Sequence, residues 1–246
     1  MKEIKDLTIL VVDDEPDLGE LVAFEFELVG ANVLSASNGK EALDLVQNNN
    51  IDVVVSDIRM PGGDGVELLE NLRAKNPKSP TLVFMTGFAD ITLEDAYDKG
   101  AVAMFGKPFN RNELIDTVRV SVLDYSERWG AELTNDESVF KVQAKLPNLA
   151  DAKTNQKLSL GSGGLFISVE DKVPAVSDLV HFKIELENDS MGCLEGDGVV
   201  RWVRRQGDSK FQKGFGLEIK NIVGTDREKF FDILSKETTV AFIPKS

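Results

Sequence analysis

The sequence predicts two domains of different class: a doubly wound α/β domain on a five-stranded parallel sheet, then a small antiparallel β-barrel with a C-terminal helix. Three observations predict this. Five short apolar runs alternate with helix-period segments between residues 7 and 124, the pattern of parallel strands joined by crossover helices. From Val139 the runs instead alternate in polarity and are punctuated by glycines, as antiparallel strands are. The charge divides at the same place. Residues 1–130 carry 12 basic and 24 acidic side chains, a net of −12, and residues 131–246 carry 16 and 18, a net of −2.

Residues 7–12, LTILVV, read as a buried strand that stops at Asp13-Asp14-Glu15, with Pro16 next. Asp17 or Glu15 opens a helix with Leu18, Leu21, Val22, Leu28 and Val29 at helical spacing, and Gly30 ends it. Asn32 to Ala36 is the second strand, and Asn38 caps a helix containing Ala42, Leu45 and Val46. Residues 51–56 form a third strand. Its β-branched run suits burial on both faces, it leads straight into Asp57, and Pro61-Gly62-Gly63 marks a loop after it. Val66, Leu69 and Leu72 mark the third helix, closed by Pro77 and Pro80. Thr81 to Met85 is the fourth strand and ends in Thr86-Gly87. Asp90 to Lys99 is a polar helix stopped by Gly100, and Ala101 to Phe105 is the fifth strand, ending in Gly106-Lys107-Pro108. Asn112 starts the fifth helix, which runs through Leu114, Val118 and Leu123 and on toward Trp129.

Right-handed crossovers put all carboxyl ends of such strands on one edge, where open α/β sheets carry their chemistry. That edge collects Asp13, Asp14, Asp57, Thr86 and Lys107. Crowded carboxylates repel one another, and a hard divalent cation relieves this. Mg²⁺ takes one or two carboxylates together with waters and phosphate oxygens. Asp57 held there can act as a nucleophile on a phosphoryl group. Lys107 supplies a positive charge to the transferred oxygens, and Thr86 a hydroxyl. An aspartate-nucleophile phosphatase is the rival within this chemistry. Its two acids would lie on the first strand, whereas Asp57 follows the third.

VVDDE, SDIRMP, MTG and FGKPF together resemble bacterial response-regulator receiver domains, over residues 5–124 and with a flavodoxin-like sheet. The resemblance implies that Asp57 is the phosphoacceptor and takes its phosphoryl group from a histidine kinase. It implies a Mg²⁺ site made by Asp14, Asp57 and the backbone carbonyl of Arg59, with Asp13 acting through water. Thr86, Lys107 and the aromatic Phe105 become the switch residues, and the Lys107–Pro108 peptide is expected to be cis. Arg59 and Phe88 are expected to flank the phosphoryl group.

The second half offers the alternating runs FKVQAKL, VHFKIEL and GVVRWVR, with Val200 and Trp202 on one face, and the short runs LFISV and GFGLEI. Thr225 and Glu228 have the spacing of a capping box before Phe230, Phe231, Ile233 and Leu234. The organisation expected is a first domain over 1–124, a helical linker over 125–137 and a second domain over 138–246. LSLGSGGLFIS and GDGVVRWVR followed by KGFGLEI resemble a PilZ domain. Many PilZ domains bind cyclic di-GMP through an Arg-x-x-x-Arg loop and an Asp/Asn-x-Ser-x-x-Gly motif. Here Lys141 and Lys145 stand for the arginines, and Ser159, Gly161 and Gly164 for the motif. Lysine offers a point charge where arginine stacks and binds bidentately. The resemblance therefore implies a degenerate member acting on an unknown output protein, with cyclic di-GMP integration as the alternative. Arg201, Arg204 and Arg205 form a basic candidate surface for that partner.

Composition excludes several classes. No run approaches the length of a membrane span, and the short N-terminal apolar run leads into acids rather than a cleavage site. The single cysteine, Cys193, rules out an internal disulfide and fits a reducing cytoplasm. The single histidine, His181, lies in an alternating run and reads as a strand residue. A net of −12 in the first half argues against DNA as its partner. The expectation is a cytoplasmic, non-enzymatic signalling protein, with homodimerisation open.

Overall fold

A computed structural model describes residues 3–87, 91–130, 140–189, 192–223, 227–236 and 239–246. Phe88, Asp90, the polar stretch 131–139 and Thr225 lie outside the described residues. The chain divides into two compact units, 1–92 with 99–123, and 93–98 with 124–246.

The first unit is built on β1 (Thr8–Val12), α1 (Pro16–Leu28), β2 (Asn32–Ala36), α2 (Gly39–Asn48), β3 (Val53–Asp57), α3 (Gly65–Lys75) and β4 (Thr81–Thr86). The chain then forms α4 (Leu93–Asp98), which groups with the second unit, and returns as β5 (Ala103–Gly106) and α5 (Arg111–Ser121). The sheet runs β2-β1-β3-β4-β5 with every pair parallel. β3 is buried at all five positions, as its β-branched run requires. Alternate strand residues face opposite layers. Ile9, Val11, Val53, Val55, Val83 and Met85 pack with Val22 and Phe26 of α1 and Leu114 and Val118 of α5. Their neighbours Leu10, Val54 and Phe84 are equally buried, as are Leu68, Leu69 and Leu72 of α3.

Asn38 caps its helix as expected, whereas Asp64 caps α3 and Asn110, not Asn112, caps α5. Asn38 and Asp64 accept from the backbone N–H groups of Glu41 and Glu67, and Asn110 accepts from Asn112 and Glu113. Two of the apolar residues at helical spacing in α1 are on its outside. Leu21 and Leu28 are each 55% exposed, with Phe24 at 52%, and the helix buries Val22, Ala23 and Phe26 instead. The fifth helix also stops earlier than its pattern suggests. It ends at Ser121, and Tyr125–Arg128 form a separate turn, α6. Arg73, in the last turn of α3, is a buried charge. It donates to the Pro80 carbonyl at 2.8 Å and to the Gly100 carbonyl at 3.0 Å.

The second unit contains α6, β6 (Phe140–Leu146), α7 (Leu149–Thr154), β7 (Leu158–Leu160), β8 (Gly164–Ser168), β9 (Leu179–Leu186), β10 (Cys193–Arg204), β11 (Gly214–Val223) and α8 (Arg227–Lys236). Its sheet runs β6-β9-β10-β11-β8-β7. This corrects the antiparallel barrel. β6 pairs parallel to β9, so the sheet is mixed, and β6 and β7 are its two edges among the described residues. A short helix between β6 and β7, α7, is a further element that the sequence pattern did not reveal.

A second correction concerns β10. Val200 pairs with Leu217 and Trp202 with Gly216, so the register shifts by one between them. A bulge of this kind turns the following side chains to the other face. Val200 stays in the core with Leu165, Phe182 and Leu217, whereas Trp202 stacks on Phe166 on the opposite face, at 5.7 Å between ring centroids. Trp129, just after α6, is fully buried among Tyr125, Phe230 and Phe231. The segment expected as linker thus begins inside the core of the second unit. Among the described residues no helix is long and apolar enough to cross a membrane.

Candidate functional site

The site lies at the carboxyl ends of β1, β3, β4 and β5, where the parallel order gathers their last residues. Asp13 follows β1 and is 5% exposed, Asp57 ends β3 at 7%, and Thr86 ends β4 at 7%. Asp14 is the more accessible acid. Carboxylate oxygens of Asp13, Asp14 and Asp57 all lie within 4.8 Å of one another. Lys107 follows β5 and reaches across the edge. Its Nζ donates to Asp57 Oδ2 at 2.6 Å and to Asp13 Oδ2 at 2.9 Å.

The backbone fixes these carboxylates. Glu15 N–H donates to Asp13 Oδ1 at 3.0 Å, and Arg59 N–H donates to Asp57 Oδ1 at 3.3 Å. Ile58 N–H donates to the same Asp57 oxygen. The loop beyond bends through Gly62 and Gly63, whose φ values of +83° and +126° are open to glycine. Lys107 N–H donates to the Thr86 carbonyl at 2.7 Å, tying the ends of β4 and β5. The Lys107–Pro108 peptide is cis. Phe105 pairs in register with Met85 and is half-buried, edge-on to Phe109 at 6.4 Å.

Burial alone would discourage the Lys107 ammonium. Its hydrogen bonds to Asp57 and Asp13, and their charge, outweigh that and raise its pKa. The three acids fit a divalent ion. Oxygens bound to Mg²⁺ at 2.0–2.1 Å stand about 4 Å apart at most, so carboxylates already within 4.8 Å of one another need only small side-chain movement to share one. Arg59, whose carbonyl the resemblance adds to the set, lies two residues past Asp57 on the same loop.

The five nucleotide candidates fall in two places, Lys141 and Lys145 on β6 and Ser159, Gly161 and Gly164 on the β7–β8 hairpin. Lys141 and Lys145 lie exposed on the edge strand β6, and Lys145 pairs with Glu185 at 2.9 Å. Ser159 is on β7, 1% exposed, and its buried hydroxyl has no hydrogen-bond partner among the described residues. Gly161 and Gly164 are glycines because backbone comes too close for a Cβ. The carbonyl of Phe242 fills the space at Gly161, and that of Leu217 with the Ile243 side chain fills it at Gly164. Phe242 and Ile243 belong to the chain's own C-terminal segment, so that space is taken.

The arginine group also divides. Arg201 pairs with Glu218, and Arg204 is largely buried, leaving Arg205 exposed. His181 is a strand residue of β9 with Nδ1 2.8 Å from Asp197 Oδ1. No sequence pattern marks Arg73 as buried. A lone arginine in a helix's last turn ordinarily reads as a solvated charge.

The family model of the response regulator receiver domain matches residues 9–119. Regulatory protein AtoC of Escherichia coli (strain K12) is 30% identical over 178 residues, covering 66% of this chain and 36% of AtoC. Sporulation initiation phosphotransferase F of Bacillus subtilis (strain 168) is 31% identical over 112 residues, 45% of this chain and 90% of that protein. DNA-binding transcriptional regulator NtrC of Escherichia coli (strain K12) is 31% identical over 121 residues, 49% of this chain and 26% of NtrC. The chain thus spans about a third of AtoC and about a quarter of NtrC. Among solved structures, response regulator protein TrrA of Thermotoga maritima, in complex with Mg²⁺-BeF, is 33% identical, covering 47% of this chain and 98% of that chain at a TM-score of 0.44. The matched stretch holds Asp13, Asp14, Asp57, Thr86 and Lys107 together, and residues 9–119 are a response regulator receiver domain.

Proposed function

We propose that the chain is a two-component response regulator that accepts a phosphoryl group on Asp57 from a histidine kinase and signals through its second unit to a protein partner. The observation that carries this is the shared Lys107 ammonium, 2.6 Å from Asp57 and 2.9 Å from Asp13 beside a third carboxylate. Asp57 Oδ2 attacks the phosphorus of a phosphohistidine. The P–O bond forms as the P–N bond breaks, and the imidazole leaves with a proton. Lys107 turns from the carboxylates to the incoming phosphoryl oxygens, and the Thr86 hydroxyl can donate to them. Asp13, Asp14, Asp57 and the Arg59 carbonyl would hold Mg²⁺, which supplies charge neutralisation to those oxygens. The chain is a phosphoacceptor in this reading, not an enzyme.

The protein-interaction role of the second unit is favoured over cyclic di-GMP because its own Phe242 and Ile243 occupy the ground of Gly161 and Gly164. The PilZ resemblance rests on the sequence pattern, and a mixed sheet with two edges is a departure from the barrel it implies. The expectation that DNA is no partner gains nothing from the comparisons, since NtrC is a DNA-binding regulator by name.

The test is incorporation of phosphoryl from acetyl phosphate with Mg²⁺, read on a phosphate-affinity gel. Wild type should shift, Asp57→Asn should not, and removal of Mg²⁺ should stop the reaction. A shift that survives in Asp57→Asn overturns the assignment.

A further inference from the structure

The mixed sheet of the second unit is open between its two edge strands. Among the described residues β6 pairs with β9 alone and β7 with β8 alone. The N–H and C=O groups of successive strand residues point to alternate sides of the strand. The Leu146 carbonyl accepts from Glu187 N–H, just past β9, so it points toward β9. The backbone groups of Lys145, Gln143 and Lys141 therefore face the open side. Side chains alternate between the two faces of the sheet in step with this. Lys141, Gln143 and Lys145 are exposed on the outer face, and Val142 and Leu146 are buried on the inner one.

A cavity of about 190 Å³ takes its walls from both edges. Ala144 and Leu146 of β6, Leu158 of β7 and Ile167 of β8 give it an apolar lining, and Lys145 and Lys157 also line it. The edges themselves are basic. β6 and the stretch 157–160 carry Lys141, Lys145 and Lys157 and no acid. Among the described residues only Lys145 of these three has a carboxylate partner, Glu185 of β9 at 2.9 Å. A strand laid against β6 stands beside the lysines and one strand further from Glu185.

We propose that this open edge binds an extended acidic segment of a partner protein, which adds to β6 as a strand and alternates acidic with apolar residues. This rests on the reading of the second unit as a protein-interaction module and names the chemistry of its partner. Outward residues of the added strand stand beside Lys141 and Lys145, where an opposite charge stabilises and a like charge destabilises. The residues between them face inward over the cavity, which suits a branched apolar side chain. Backbone pairing supplies affinity, and the alternation supplies specificity. A second copy of the chain is the poorer occupant. β6 paired antiparallel to itself about Gln143 sets Lys141 against Lys145. Edge lysines of this kind oppose self-association and still admit an acidic strand.

The test is fluorescence anisotropy of the full chain with two labelled synthetic peptides of seven residues, the length of β6. One alternates Glu with Val and the other Lys with Val. The acidic peptide should bind at least about tenfold more tightly, since several cross-strand charge pairs change sign. Lys141→Glu should weaken it about fivefold, and less so in about 1 M salt. Gln143→Pro removes an N–H that faces the open side and should weaken it about tenfold. Lys141→Glu, an exposed change, guards against Gln143→Pro failing to fold. Equal binding of the two peptides, binding that both variants leave unchanged, or no binding by wild type overturns the acidic edge alone. A wild-type dimer that Gln143→Pro dissociates gives the edge to a second copy and overturns it too. Heat from cyclic di-GMP titrated into wild type overturns the reading of the second unit on which the edge rests.

Discussion

Lys107 Nζ sits 2.6 Å from Asp57 Oδ2, a contact made across 50 residues of chain. It closes the edge of a parallel sheet whose strand ends would otherwise present only acids and a threonine. The same ammonium is shared with Asp13 at 2.9 Å, so one cation compensates two buried carboxylates.

This arrangement predicts a particular pH dependence. The folded pKa of Lys107 is raised above its ordinary 10.5. A raised base contributes stability that is fully present below its unfolded pKa and lost as pH rises through the folded one. Lys107→Met should lower stability by about 1–3 kcal/mol at pH 8, because it leaves two carboxylates facing each other. The gap should hold to about pH 10.5 and narrow above it. Urea unfolding of both proteins across that range measures it, and a gap that closes below about pH 9 contradicts the pair as described.

Mg²⁺ should compete for the oxygens that Lys107 now holds. Binding only the folded state, it stabilises by about 2.7 kcal/mol at a hundredfold excess over its Kd. The midpoint of thermal unfolding should rise with Mg²⁺ and fall back with chelator in wild type. Asp14→Ala should lose most of this response, since Asp14 is the acid for which no bond to Lys107 competes. A full Mg²⁺ response in Asp14→Ala would remove that residue from the ion's ligands.

Calorimetry with cyclic di-GMP should show no heat at high ligand concentration. Gly161 and Gly164 are packed against Phe242, Leu217 and Ile243, Ser159 is buried, and Lys145 is paired with Glu185. Micromolar binding lost in a Lys141→Ala, Lys145→Ala double variant would instead restore the ligand reading.

The receiver site was legible because parallel topology converts sequence order into place. Once five buried runs alternate with helices, the residue after each run must fall on one edge, whatever the details between. No such rule governed the second unit. The extra residue at the bulge in β10 leaves the run GVVRWVR looking strictly alternating, yet it separates Val200 from Trp202. Gly161, Gly163 and Gly164 announce that something approaches closely, but a glycine cannot say whether the visitor is a nucleotide or, as here, Phe242 at the first two and Leu217 with Ile243 at the third. The segment Ala241–Lys245 has no periodicity to mark it as buried. Leu21 and Leu28 fit a helical stripe by spacing, and only packing shows that Val22 and Phe26 win the inner face.

Arg73 should prove a structural charge. Burial lowers its pKa to about 10, and its guanidinium supplies the carbonyls of Pro80 and Gly100. Arg73→Met leaves those acceptors buried without their donor, at a cost of about 2–4 kcal/mol. Chemical denaturation should show this loss while phosphoryl uptake by the folded fraction stays within about twofold, since the guanidinium of Arg73 bonds to the carbonyls of Pro80 and Gly100.

Trp129 should anchor the second unit from outside the segment first assigned to it. Its ring is 4.8 Å from Tyr125, 5.7 Å from Phe230 and 5.8 Å from Phe231, and its carbonyl accepts from Ile222 N–H. Among the described residues its buried indole N–H has no acceptor, and the ring is held by stacking. Trp129→Ala should therefore cost about 3–5 kcal/mol, the range for a large buried aromatic. Trp129→Phe should cost much less, because it keeps a stacking ring and removes the orphan donor. The protein has two tryptophans, so in both variants Trp202 alone reports unfolding of the second unit by fluorescence. If Trp129→Ala left the Trp202 transition where it is in wild type, Trp129 would belong to a free linker after all.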